Sequence, residues 1–196
     1  LDPQSNKGLS DYDIRHNFTF NYTWEPAFGR NLTGISRLLA HGWQVSGIVT
    51  ARTGVPFSPV LGFDRARALP RSGGAGQRPE LAPGASSNPV LGGPEQYFDP
   101  LAFVLPDEGY LSALGRNTIT GPGFATWDGS LIKNVGLAST RRLQLRFEVF
   151  NLLNRANFGL PAATVFSASG RVASAGEITS TVGAARQIQL GARFEF

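Results

Sequence analysis

The stretch RQIQLGARFEF, Arg186 to Phe196, sets Ile188, Leu190, Ala192, Phe194 and Phe196 on one parity and Gln187, Gln189, Arg193 and Glu195 on the other. Successive side chains of a strand point to opposite faces, so this pattern specifies a ribbon that is apolar on one side and polar on the other. Four further segments repeat it. HNFTFNYTW places Phe18, Phe20, Tyr22 and Trp24 against Asn17, Thr19, Asn21 and Thr23. WQVSGIVTAR places Trp43, Val45, Val49 and Ala51 against Gln44, Ser46, Thr50 and Arg52, with Ile48 breaking the polar side. WDGSLIKNV is the least regular, with Trp127 and Leu131 against Asp128 and Ser130. RLQLRFEVF opposes Leu143, Leu145, Phe147 and Val149 to Arg142, Gln144, Arg146 and Glu148.

These segments are longer than the roughly 5 to 6 residues of an ordinary strand. Nine residues rise about 30 Å, which a tilt of about 45° reduces to roughly 21 Å, near the ~25 Å apolar band of a transmembrane barrel. The connections agree with that reading. Between the first and second segments lie 18 residues (Glu25 to Gly42), and between the second and third about 74 (Thr53 to Thr126). Only GLASTR separates the third from the fourth, and about 35 residues (Asn151 to Ala185) separate the fourth from the fifth. Membrane barrels alternate short periplasmic turns with long external loops in this way. With the carboxyl end in the periplasm, Trp24 and Trp43 are expected at the periplasmic interface, and Trp127 at the external one, where indole rings prefer the headgroup level.

Composition excludes several classes. Eighteen Lys+Arg against 14 Asp+Glu give +4 with no dense basic run, so no nucleic-acid partner is expected. The absence of cysteine removes disulfides and thiolate chemistry. The longest apolar run, Leu101 to Leu105, is far short of the about 20 residues of a membrane helix. Glycine and proline, 24 and 13 residues, disfavour long helices. The first dozen residues read as loop and begin at Leu1 rather than Met, so the chain is expected to be an excerpt of a longer protein.

No enzyme motif is present. There is no G-x-S-x-G or H-E-x-x-H, and GGAGQR, Gly73 to Arg78, lacks the Lys-Ser/Thr ending of a phosphate loop. Neither a catalytic role nor a cofactor is expected. His16 and His41 are 25 residues apart, near opposite membrane faces in this topology, which disfavours a shared metal. Asp99, Asp107 and Glu108 lack the spacing of a calcium loop and read as solvated loop charge. On the polar side, Arg142, Arg146, Glu148, Arg193 and Glu195 are expected to line the lumen, pairing across neighbouring strands or meeting a plug. Recognition is expected in the external loops, residues 53–126 and 151–185.

FEVFNLLNRANFG (Phe147 to Gly159), followed by an alternating strand ending in Phe, resembles the carboxyl end of TonB-dependent outer-membrane receptors. The likeness is to the subgroup with a carboxypeptidase-regulatory-like domain. DIRHNFTFNYTW, GWQVSGIVTARTGVPFS, YFDPLAF and GRNTITGPGFATWDGSLIKN resemble the same family in the same order. Leu153, where an aromatic is frequent, and EPAFG after Trp24 depart from its pattern.

The resemblance implies an all-β antiparallel transmembrane β-barrel, present here in part: residues 1–196 as a carboxyl-terminal segment of about five strands with long external loops. The plug and the amino-terminal part of the barrel are then elsewhere. It further implies residence in the bacterial outer membrane, contact with outer-membrane lipid, and TonB-driven uptake of a substrate bound at external loops and lumen. That substrate is left open among small molecules such as siderophores, oligosaccharides and peptides. Leu190, Phe194 and Phe196 are implied as an insertion signal for the barrel-assembly machinery. The alternatives are a passive or structural outer-membrane barrel and a secreted soluble β-sandwich for binding or adhesion.

Overall fold

Alternation in sequence becomes register in space when neighbouring strands pair without slipping, because a one-residue slip would turn every side chain to the other face. The computed structural model describes residues 7–68, 76–137 and 141–196. The first six residues of the amino-terminal loop, part of the glycine-rich stretch from Gly73, and 138–140 of the short turn lie outside the described residues.

In chain order the elements begin with β1 (Asn17–Trp24), α1 (Gly34–Ala40), β2 (Trp43–Arg52), β3 (Pro56–Phe57), β4 (Val60–Leu61) and β5 (Glu80–Leu81). After a 3-10 turn at Pro100–Ala102 come β6 (Phe103–Val104), β7 (Ile119–Thr120) and β8 (Phe124–Gly136). β9 (Arg142–Phe150), β10 (Thr164–Ser167), β11 (Gly170–Arg171) and β12 (Gln187–Glu195) complete the series. The chain divides into two compact units.

One unit, Asn17–Arg52, Phe124–Ala156 and Gly183–Phe196, holds the five long strands. They form a single sheet in the order β1-β2-β8-β9-β12, every pair antiparallel. This is the expected meander. Among the described residues the outer edges of β1 and β12 have no strand partner. The third strand begins earlier than its alternation indicates, at Phe124 rather than Trp127, because Phe124, Ala125 and Thr126 continue the ladder opposite Arg52, Ala51 and Thr50. The 18-residue connection Glu25 to Gly42 contains α1, which its seven residues were too few to announce.

The other unit gathers the chain up to His16, Thr53–Gly123 and Asn157–Val182. These are the long connections, and they are not irregular loops. Phe98, Phe103, Ile119 and Val165 are fully buried, with Leu61 close behind. Phe98 packs against Phe57 and Phe103 at ring separations of 6.0 and 6.1 Å. Short ladders tie the pieces together: β3 to β7 and β5 to β6 antiparallel, and β10 between β11 and a parallel β4.

Polar side chains close the gaps that such short ladders leave. Arg171 donates to the carbonyls of Pro100 and Phe103 while its guanidinium lies 4.5 Å from the centre of the Phe166 ring. Buried Asn117, in the left-handed region at φ 56°, receives Ser58 Oγ and donates to Leu9 O and Asp11 Oδ1 at 2.8 and 2.6 Å. That anchors the segment preceding β1. The Gly54 backbone approaches Gly121 so closely that a Cβ would lie 1.8 Å from the Gly121 carbonyl oxygen.

The loop carboxylates are occupied locally. Asp99 Oδ1 accepts from Leu101 N at 2.8 Å and caps the 3-10 turn, and Glu108 pairs with Arg65 at 3.5 Å. Tyr97 donates its hydroxyl to Thr120 O at 3.0 Å, and burial pushes its phenol above the usual tyrosine pKa.

The core of this unit is testable by truncation. Phe103→Ala should cost about 3–5 kcal/mol locally, seen as new protease cleavage and faster amide exchange within residues 77–120, while exchange in β8 and β9 stays slow.

Candidate functional site

The five-strand sheet presents two faces, and the register keeps each continuous. One runs Phe20, Val49, Trp127 along paired positions of β1, β2 and β8, then Val45, Leu131, Phe147 and Leu190 across β2, β8, β9 and β12. Many of its side chains are exposed: Phe18, Phe20, Phe194 and Leu190 are each more than half exposed. No second sheet covers them among the described residues of this unit.

Aromatics organise this face. Phe20 stacks on Tyr22 at 5.9 Å, and Phe194 on Phe196 at 6.1 Å. Tyr22 lies over Gly47, whose added Cβ would sit 2.6 Å from its hydroxyl oxygen, and the Trp127 indole N–H donates to that oxygen at 3.1 Å. A glycine here lets an aromatic from the edge strand cover the neighbouring strand and reach the next one.

The three tryptophans expected at interfaces divide accordingly. Trp24 closes β1 and Trp43 opens β2, at the same end of the sheet. Trp127 is three residues inside β8 rather than at its start, opposite Val49, because the ladder extends to Phe124.

Sequence reasoning missed Lys133, which shares the apolar parity of Trp127 and Leu131. It is opposite Trp43 and Leu145, and only 8% exposed. Its ammonium lies 4.9 Å from the Trp43 ring centre and donates to the carbonyls of His41 and, at 3.1 Å, Leu39. The Trp43 indole N–H donates to the same Leu39 carbonyl at 2.8 Å. Lysine, tryptophan and the last turn of α1 thus form one knot at the end of the sheet. Counting parity strictly through WDGSLIKNV would have found the lysine.

The opposite face carries the polar residues. Ser46 bonds to Ser130 at 2.7 Å, and Gln144 Nε2 donates to Asn134 Oδ1 at 2.9 Å. Asp128 Oδ1 accepts from Thr126 Oγ1 at 3.1 Å and from Asn151 N at 2.8 Å. A cavity of about 560 Å³ lies along this face, lined by Thr23, Ser46, Asp128, Ser130, Glu148 and Phe150 among others.

Arg142, Arg146, Glu148, Arg193 and Glu195 all take this polar parity. Among the described residues no ion pair joins them across strands. Arg146 is opposite Ile132 and Gly191, and Glu148 opposite Ser130 and Gln189, so neither meets an opposite charge directly across a strand. Arg142 is opposite Glu195, but that carboxylate bonds to Arg193 on its own strand at 3.0 Å. An exposed pair of this kind contributes only about 0–1 kcal/mol, so hydrogen bonding along the ladders, rather than ion pairing, secures the wall.

The FEVFNLLNRANFG stretch is structural at the opposite end of the sheet, beyond Phe150. Asn151 and Asn154 adopt φ of 51° and 50°, a conformation asparagine tolerates better than most residues. Asn151 Nδ2 donates to Arg155 O and Ala184 O at 3.0 and 3.1 Å, and Asn154 Oδ1 accepts from Arg186 N at 3.1 Å. The exit from β9 is thereby fastened to the entry into β12.

Two substitutions separate the elements of the aromatic cluster. Gly47→Ala forces Tyr22 aside and should cost about 1–3 kcal/mol by overpacking, whereas Tyr22→Phe removes one hydrogen bond and should cost about 0.5–1.5 kcal/mol. Urea unfolding of the assembled protein in lipid, followed by tryptophan emission, ranks the two.

A family model described as an outer membrane beta barrel domain matches residues 1–189. No curated protein and no solved structure matches the chain. A bare aromatic face continuous over five antiparallel strands, backed by a polar one, is the surface pattern such a barrel wall requires. The chain therefore belongs to the outer membrane beta barrel domain family and resides in the bacterial outer membrane.

Proposed function

We propose that the chain is a carboxyl-terminal part of the barrel of a TonB-dependent receptor, taking up a substrate by active transport rather than acting as an enzyme. The observation that carries this reading is the division of labour in the chain. Five strands supply wall, while the long connections, instead of trailing into solvent, build a unit with its own apolar core. Loops held on a rigid frame are where recognition is usually built. YFDPLAF and GRNTIT, two of the stretches that resemble TonB-dependent receptors, provide Phe98 and Phe103 of that core and the Asn117 anchor.

In this reading β1 and β12 pair with further strands of the same barrel, because an unpaired edge in hydrocarbon leaves backbone groups without partners. The long connections face outward, and the end bearing α1 and the short turn faces the periplasm. The polar face, with Arg142, Arg146, Glu148, Arg193 and Glu195, borders the lumen, where a plug coupled to TonB would sit. The substrate, whether a small molecule, an oligosaccharide or a peptide, binds the external unit and the lumen wall. Leu190, Phe194 and Phe196, on the lipid-facing side of β12 and just beyond its end, serve recognition by the assembly machinery.

Capture of the full-length protein by the periplasmic domain of TonB, from outer membranes, tests the transport reading. Specific capture that disappears when the plug-proximal region is deleted is expected, and a correctly assembled protein without TonB affinity reduces the reading to a passive barrel. For the assembly role, Phe194→Asp with Phe196→Asp should lower the heat-modifiable, folded fraction in outer membranes several-fold, with total synthesis unchanged.

A further inference from the structure

The connection between β1 and β2 has an amphipathic helix whose apolar side is largely exposed. In α1, GISRLLA, Ile35 and Leu39 are one helical turn apart and are 76% and 66% exposed, with Leu38 also exposed. Arg37 borders a cavity of about 480 Å³ with His41, Asn134 and Arg142, at the end of the sheet. A short turn dipping into water has no use for bare isoleucine and leucine. It also has no need of a clamp.

The clamp is what gives the helix an address. Leu39 O receives both the Trp43 indole and the Lys133 ammonium, and both of those residues belong to the apolar, lipid-facing side of the wall. Lys133 would be an expensive lodger on a lipid-facing surface if its charge were left alone. Here two carbonyls and an indole ring receive it, and what they hold in return is the carboxyl-terminal turn of α1. Trp24 and Phe28, in edge contact at 6.0 Å, extend the aromatic band into the same connection. The turn of α1 that carries Leu39 is thus fastened to residues of the apolar side of the wall.

We propose that α1 is an interfacial helix, seated at the boundary between headgroups and acyl chains of the periplasmic leaflet, with phospholipid as its occupant. Ile35 and Leu39 enter the acyl boundary, and Arg37 stays at phosphate level. Interfacial helices combine an apolar face with basic residues in this manner. Lys133 and Trp43 set the depth and direction of the helix, so the connection acts as a float at the rim of the wall. The inference rests on the barrel orientation proposed above and is independent of TonB coupling.

The test uses the full-length protein assembled in vesicles of phosphatidylethanolamine and phosphatidylglycerol, with nitroxide labels at Ile35→Cys, Arg37→Cys or Leu39→Cys; any cysteines elsewhere in that protein are first replaced. Relaxation by dissolved oxygen should exceed relaxation by a water-soluble nickel chelate at 35 and 39, with the order reversed at 37. Adding Lys133→Met should abolish the difference between positions 39 and 37 by releasing the helix, while heat-modifiable mobility persists. Equal access of the chelate to all three sites, or shielding of 35 and 39 from both relaxants by protein, overturns the proposal. A maleimide reporter at Leu91→Cys reads the orientation separately. Labelling at Leu91 on intact cells supports the orientation, and labelling at Ile35 there overturns the orientation and with it the leaflet assigned.

Discussion

The structure depends on antiparallel pairing that never slips over five strands. Backbone groups have no water to turn to within a bilayer, so every N–H and C=O must find a neighbour in the ladder. That requirement alone would be met by any register. Only one parity, however, brings Phe20, Val49 and Trp127 to one side together, and likewise Val45, Leu131, Phe147 and Leu190. Hydrogen bonding demands a ladder, and the aromatic side chains select which one.

Departures from that rule have local compensation. Gly47 gives up a side chain so that Tyr22 can cross it and accept the Trp127 indole. Lys133 brings a charge to the apolar face and disposes of it within reach of Trp43, Leu39 and His41. Ile48 brings an apolar group to the polar face, between Asn21 and Asp128. The exceptions on the apolar side thus have partners on the same side, and the ladder is left intact.

The wall was legible in the sequence because period-two alternation is local: each strand announces its own faces, and connection lengths give their order. What escaped was long-range. Phe98, Phe103, Ile119 and Val165 carry no periodic pattern, and their common core exists only because segments far apart in sequence converge. Seven residues of α1 are too few to establish a helical period, and the irregular start of β8 hid its length. The face a charged side chain takes follows from parity, whereas its partners depend on rotamers and on what lies opposite. Glu195 illustrates this, bonding along its strand although Arg142 is across from it.

The unit formed by the long connections is joined to the strands at five peptide junctions: before Asn17, after Arg52, before Phe124, after Ala156 and before Gly183. A single flexible lid would hang from two. Because the unit is assembled from three separate stretches of chain, one proteolytic nick within it severs none of those junctions.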